Sequence, residues 1–290
     1  MGALGDAAMT NRIFVAAVAA LAWLLPIAAQ SSNSIPTSQK VIKNPTEYSA
    51  YIHALGLKDP ARKAAAFESF VADYPHSIVK IEALEQAMAA YQRLGNAEKV
   101  QSLAGRILQI EPDDARALAI DVFIKRSEAG QGNKAASASL GPEAERGIRS
   151  VAHWSKPSGM GNAEFKNLRL QMASIFQGAA GFAALQAEDY GKAREHYRKA
   201  IRLSPNNLSD VYQLGVAELQ MKPLDSAGFW HVARALKLAS GKAAAQKAIL
   251  RYGKAMYVRY HGSEEGWSAI VVAAAKHASP PHGFSIKPAH

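Results

Sequence analysis

Apolar residues in this chain recur every three or four positions across most of its length, the period of helices that bury one face. Leu84, Ala87, Met88 and Tyr91 stripe one segment, and Val100, Leu103, Ala104, Ile107 and Leu108 stripe the next. Leu94-Gly95-Asn96 between them reads as a turn, since glycine enters the left-handed conformation that ends helices. Pro75 and Pro112 punctuate this pair 37 residues apart. Upstream, Asn44 with Pro45 reads as a helix start, and Phe67, Phe70, Val71 and Tyr74 stripe a helix over 60–74 that follows one over 46–56. With this helical spacing along most of its length, the chain is expected to be all-α.

Downstream the pattern weakens and then returns. Residues 115–128 carry Leu118, Val122 and Phe123, after which Gly130 to Pro142 is small, polar and glycine-bearing, and is expected to be a flexible loop. A helix near 143–154 and a break at 155–162 lead into a long helical stretch. Val211, Leu214, Gly215 and Leu219 mark one later helix, and Phe229, Val232, Leu236 and Leu238 another. Lys242 to His261 should form a capping helix, with Ala245, Ile249, Tyr252, Met256 and Tyr260 on its inner face. A last helix is expected within 263–278, and the tail 279–290, with three prolines, should be extended.

The strongest unit is the 34-residue stretch from Ser174 to Asn207. Ala180, Gly181 and Ala184 place small residues where a neighbouring helix must approach, Glu188-Asp189-Tyr190-Gly191 turns the chain, Ala193, Tyr197 and Ala200 line a second helix, and Pro205 closes it. These positions resemble the tetratricopeptide repeat (TPR), two antiparallel helices that stack on copies of themselves. The Tyr74-Pro75 ending, and the C-terminal YHGSEEGW and GFSIKP segments, resemble exported bacterial TPR proteins. The resemblance implies a helical-hairpin solenoid of four to five pairs with a C-terminal capping helix, with TPR-like pairs over 45–129 and again over 143–262. It also implies that the inner faces of the first helices hold a protein or peptide partner. Carried onto this sequence, those faces hold Glu82, Glu85, Gln86 and Arg93, then Ile175, Ala179, Phe182 and Gln186, then Tyr212, Gln213, Val216 and Gln220.

Asn11-Arg12 followed by the apolar run Ile13–Ala29 predicts a signal peptide over residues 1–29, cut before Gln30, with a polar leader over 30–44. The competing expectation is an uncleaved inner-membrane anchor, and Met9 offers a second start. Export would place the chain in the periplasm or outside the cell. The absence of cysteine excludes disulfides, thiol catalysis and cysteine–zinc sites.

Net charge is +10, and residues 226–263 contain no acidic side chain and seven basic ones. Arg234, Lys237, Lys242, Lys247, Arg251, Lys254 and Arg259 read either as the wet face of a capping helix or as a surface for an acidic partner or anionic lipid headgroups. None of the nine histidines pairs with another at three- or four-residue spacing, and no HExxH, P-loop, dinucleotide or GxSxG motif occurs. No cofactor, metal or nucleic acid is expected. The sequence therefore points to a non-catalytic envelope scaffold. The alternatives are a membrane- or polyanion-associated factor and, behind it, an enzyme whose site the sequence does not display.

Overall fold

Asparagine or aspartate starts seven of the helices among the described residues. In the computed structural model, which describes residues 40–157 and 160–289, the Asn44 side chain accepts from the N–H groups of Thr46 and Glu47 at 2.9 and 3.3 Å. Asp59, Asn96, Asp114, Asn133, Asp189 and Asn207 each accept from the N–H three residues on. Each such bond satisfies an orphan donor of the first turn, and losing one typically costs about 1 kcal/mol. Among the described residues twelve α-helices follow one another and there is no strand. They are α1 (Pro45–Gly56), α2 (Pro60–Asp73), α3 (Lys80–Arg93), α4 (Ala97–Ile110), α5 (Ala115–Gly130), α6 (Lys134–His153), α7 (Asn162–Gln186), α8 (Tyr190–Leu203), α9 (Leu208–Gln220), α10 (Ala227–Leu238), α11 (Ala243–His261) and α12 (Trp267–Ala274). Consecutive helices pack as hairpins, the TPR-like arrangement.

One expectation is corrected. The loop expected over 130–142 is confined to a short turn, because α6 begins at Lys134 and runs through Pro142. Asn133 caps it, and Ala136, Leu140 and Ala144 form a buried stripe at four-residue spacing. Small residues here serve close packing: a Cβ on Gly141 would lie 3.3 Å from that of Ala183. A serine- and alanine-rich composition suits a loop or a tightly packed helix alike, and tertiary contact chose the helix.

The described chain divides into two compact units. The first holds described residues 40–124 and 146–172. Its core is built from the stripes read above, with Phe67, Phe70, Leu84, Met88, Leu103 and Ile107 almost fully buried. Tyr51 of α1 packs its ring on Phe67 and Phe70 with centroids 5.7 and 5.4 Å apart. The Tyr91 hydroxyl of α3 donates to Glu68 of α2, which also receives Lys99 of α4 at 3.0 Å.

The second unit holds described residues 125–145 and 173–289. Gly181 of α7 faces the Tyr197 ring of α8, where a Cβ would meet ring carbons at 3.0 Å, the close approach that the small residues of the repeat require. Further on, Gly215 of α9 and Gly228 of α10 meet so closely that a Cβ on the first would lie 2.9 Å from the Gly228 carbonyl oxygen. Phe229, Val232, Ile249 and Trp267 continue this core across α10, α11 and α12.

Gly215→Ala forces one of these backbones to move. It should destabilise the chain by roughly 1–3 kcal/mol, the usual cost of overpacking. Gly105→Ala, in the exposed interior of α4 with nothing within 4 Å of the added methyl, should stabilise by about 0.5–1 kcal/mol. Urea unfolding of both variants checks the pair, and equal effects would contradict the crossing.

Candidate partner-binding surfaces

The side chains expected to line a partner groove separate into two groups. In the first unit Glu85 and Gln86 of α3 are half-buried and Arg93 is exposed. In the second unit Gln186 is exposed and Gln220 half-buried, but Phe182, Tyr212 and Gln213 are at most 5% exposed. Phe182 lies under the Arg126 guanidinium at 5.9 Å, and Tyr212 meets Tyr252 of α11 edge-on at 5.9 Å. The expectation that these three line a groove is therefore corrected. Arg126 of α5 covers Phe182, and Tyr252 of α11 covers Tyr212.

The basic face also thins out. Lys237, Lys242, Lys247, Arg251 and Arg259 are exposed. Arg234 is buried and donates to the Pro205 carbonyl at 2.8 Å and to Asn206 Oδ1 at 3.1 Å, fixing the turn after α8. Lys254 pairs with Glu264 at 2.7 Å. Arg234 leaves the basic face because its neighbours on α10 are core.

Two buried carboxylates went unread in the sequence. Glu218 of α9 is fully buried, with Oε1 accepting from Arg198 Nε and Nη2 at 3.1 and 2.7 Å and Oε2 from His231 Nδ1–H at 2.6 Å. Asp210 accepts from Arg126 at 2.7 Å, and the missing side chain of Gly178 leaves room for that pair. A signal existed. Asp210 and Glu218 fall on the Val211–Leu214 stripe, and a carboxylate there demands a cation from another helix. The Glu218–His231 pair has the composition of an acid–base dyad, but both side chains are buried, and the carboxylate is taken up by Arg198 and His231. Among the described residues no group of three or more histidines or carboxylates is placed to hold a metal.

The accessible chemistry of the first unit lies on α3. Lys40 pairs with Glu82 at 2.7 Å, while Arg116 reaches Glu85 at only 3.5 Å, loose for an ion pair. Burial pushes the Glu85 carboxyl up to about 7; Arg116 opposes this, and Asp114, Glu82 and Glu111 add to it. Burial, then Glu82 and Glu85, push the Tyr51 phenol up to about 12. Burial also raises Asp114, against the N–H bond from Ala117. Burial is thus the main cause of the raised Glu85 carboxyl, and Arg116 compensates it only across 3.5 Å.

At the other end the tail expected to be extended over 279–290 first turns at His282–Gly283, where the Phe284 N–H donates to the Pro281 carbonyl at 3.1 Å, and only residues 284–289 run on without a turn against the second unit. Phe284 packs edge-on against Trp230 at 5.3 Å, and Phe284 and Ile286 sit half-buried on the α10–α11 core. The Ala289 N–H donates to the Tyr260 carbonyl at 2.7 Å, and His261 Nδ1–H donates to the Lys287 carbonyl at 2.9 Å.

A carboxyl whose folded pKa is raised favours folding while protonated. Its contribution is complete below the unfolded value of 4.5 and is lost as pH rises through about 7. Ionised Glu85 should therefore cost on the order of 2–3 kcal/mol at pH 8. Glu85→Gln should match the parent at pH 4 and exceed its stability at pH 8, measured by urea unfolding. Equal stability at both pH values would remove the buried-carboxyl account.

A search of the curated proteins finds no match to the chain. The family model of the tetratricopeptide repeat matches residues 177–207, which run from the later part of α7 through α8 to the cap of α9. That match identifies one tetratricopeptide repeat at residues 177–207, and the helical hairpins among the described residues are consistent with a TPR-like solenoid.

Proposed function

We propose that the protein is a non-catalytic scaffold of the cell envelope that binds a partner segment on the α3 face of its first unit. A TPR suggests a protein–protein interaction role, and the half-buried Glu85, met by Arg116 only at 3.5 Å and flanked by Gln86, carries this choice of face. A partner segment bearing a lysine or arginine would meet Glu85 and Glu82, with Gln86 able to bond its backbone. The hairpins are ordered before binding, so affinity is not spent on folding the surface. A cation at Glu85 lowers its pKa, so binding should release a proton and tighten from pH 6 to pH 8.

A photo-crosslinking residue at Gln86 in living cells should give a discrete protein adduct, one weakened several-fold by Glu82→Gln with Glu85→Gln. The same residue at Gln101, exposed on α4, should give none. Equal labelling at both positions would reject the α3 face. The apolar run Ile13–Ala29 lies outside the described residues, and among the described residues no helix is long and apolar enough to cross a membrane. Export with cleavage predicts an envelope protein whose N-terminus is Gln30. A chain starting at Met1 or Met9 would favour the anchored form.

A second reading has its own observation. Leu250 and Val272 are 45% and 59% exposed among Lys247, Arg251 and Lys276, and α12 carries an open depression of about 520 Å³ lined by Ala269, Val272 and Lys276. Apolar side chains among cations suit anionic lipid headgroups. Such binding would disappear in high salt, whereas contact at the part-buried Glu85 would persist.

A further inference from the structure

We propose that α10 and the C-terminal end of α11 form a second binding groove, for an extended peptide, and that the chain's own tail occupies it as a displaceable strap. The tail reads as a ligand would. Phe284 and Ile286, two residues apart, turn to the same side as in any extended chain, and both are half-buried, while Ser285 and Lys287 between and beyond them are exposed. Pro280, Pro281 and Pro288 deny the segment three N–H groups and hold it out of a helix.

The groove supplies what such a segment needs. Trp230 offers its ring to the aromatic side chain. Tyr260 lies in the last turn of α11, where helix carbonyls lack an intrahelical donor, and its carbonyl receives the Ala289 N–H. His261 Nδ1–H reaches the Lys287 carbonyl. Gly262 ends the helix at φ +89°, and its bare Cα lets the segment pass, since a Cβ there would lie 3.1 Å from Ala289 Cβ.

Two half-buried side chains, one main-chain bond and one histidine bond attach the strap's second half, and the α9–α10–α11 core closes on Phe229, Val232 and Ile249 without it. A partner that fits carries an aromatic and an aliphatic residue two positions apart in an extended segment, with a backbone carbonyl and N–H spaced as in Lys287 and Ala289. This inference rests on reading the chain as a protein-binding scaffold and is independent of the α3 face.

The test uses the full mature chain and a fluorescent synthetic peptide of residues 279–290. In Phe284→Ser with Ile286→Ser the strap should release, and the peptide should bind at least tenfold more tightly than to the parent. A peptide with serine at both anchor positions should not bind. A second form, with a protease site between Ala278 and Ser279, frees the strap without altering an anchor, and after cutting the labelled peptide should exchange into the groove. Failure of the peptide to bind either opened form, or equal binding to the parent and to both opened forms, would overturn the strap. Crosslinking at Gln86 that survives this failure leaves the scaffold reading in place and retires the groove alone.

Discussion

The contact of Gly215 with Gly228 is the constraint on which the second unit turns. With no side chain on either residue, the backbones of α9 and α10 approach until each carbonyl oxygen lies within 2.9 Å of where the other's Cβ would be. At that separation Glu218, one turn beyond Gly215, comes within 2.6 Å of His231, one turn beyond Gly228. A fully buried carboxylate cannot be left unpaired without a cost of several kcal/mol, so Arg198 of α8 is drawn into the same contact. At the other end of α9, Asp210 binds Arg126 through the space that Gly178 leaves open. The helix is thus held at both ends by charge and in the middle by glycine.

That arrangement redirects function. An array whose first helices keep one face open can lay a partner along it, but α9 gives nearly all of its surface to packing. Tyr212 and Gln213 hold the core together and have nothing left to offer a ligand. Surfaces able to bind are displaced to the edges. In the first unit α3 keeps half-buried polar residues, Glu82, Glu85 and Gln86, at the surface. In the second, the last turn of α11 retains a carbonyl and a histidine that an extended segment can satisfy.

Much of the helix plan was legible. Asn44, Asn96, Asp189 and Asn207 announce helix starts because a short polar side chain bonds the first turn locally, and Gly95 announces an end because its φ of +67° suits few other residues. Glu188 takes the same left-handed conformation without being glycine, and there the surrounding pattern alone showed the turn. The segment 134–142 was misread because its evidence is not local: Gly141 is small to admit Ala183, some forty residues away in sequence. Arg234, read as surface charge, serves a turn that its own helix does not contain.

The sequence by itself determined that this chain is helical, where most helices begin, and that residues 174–207 form a tetratricopeptide repeat. Those properties depend on period, capping and turn chemistry, all of which act over a few residues. The tertiary structure decided which polar groups are buried together, which aromatic residues became core, and where the tail lies. Glu218 meets His231, and Phe284 meets Trp230, only after helices distant along the chain have packed, and one sequence carries no measure of those distances.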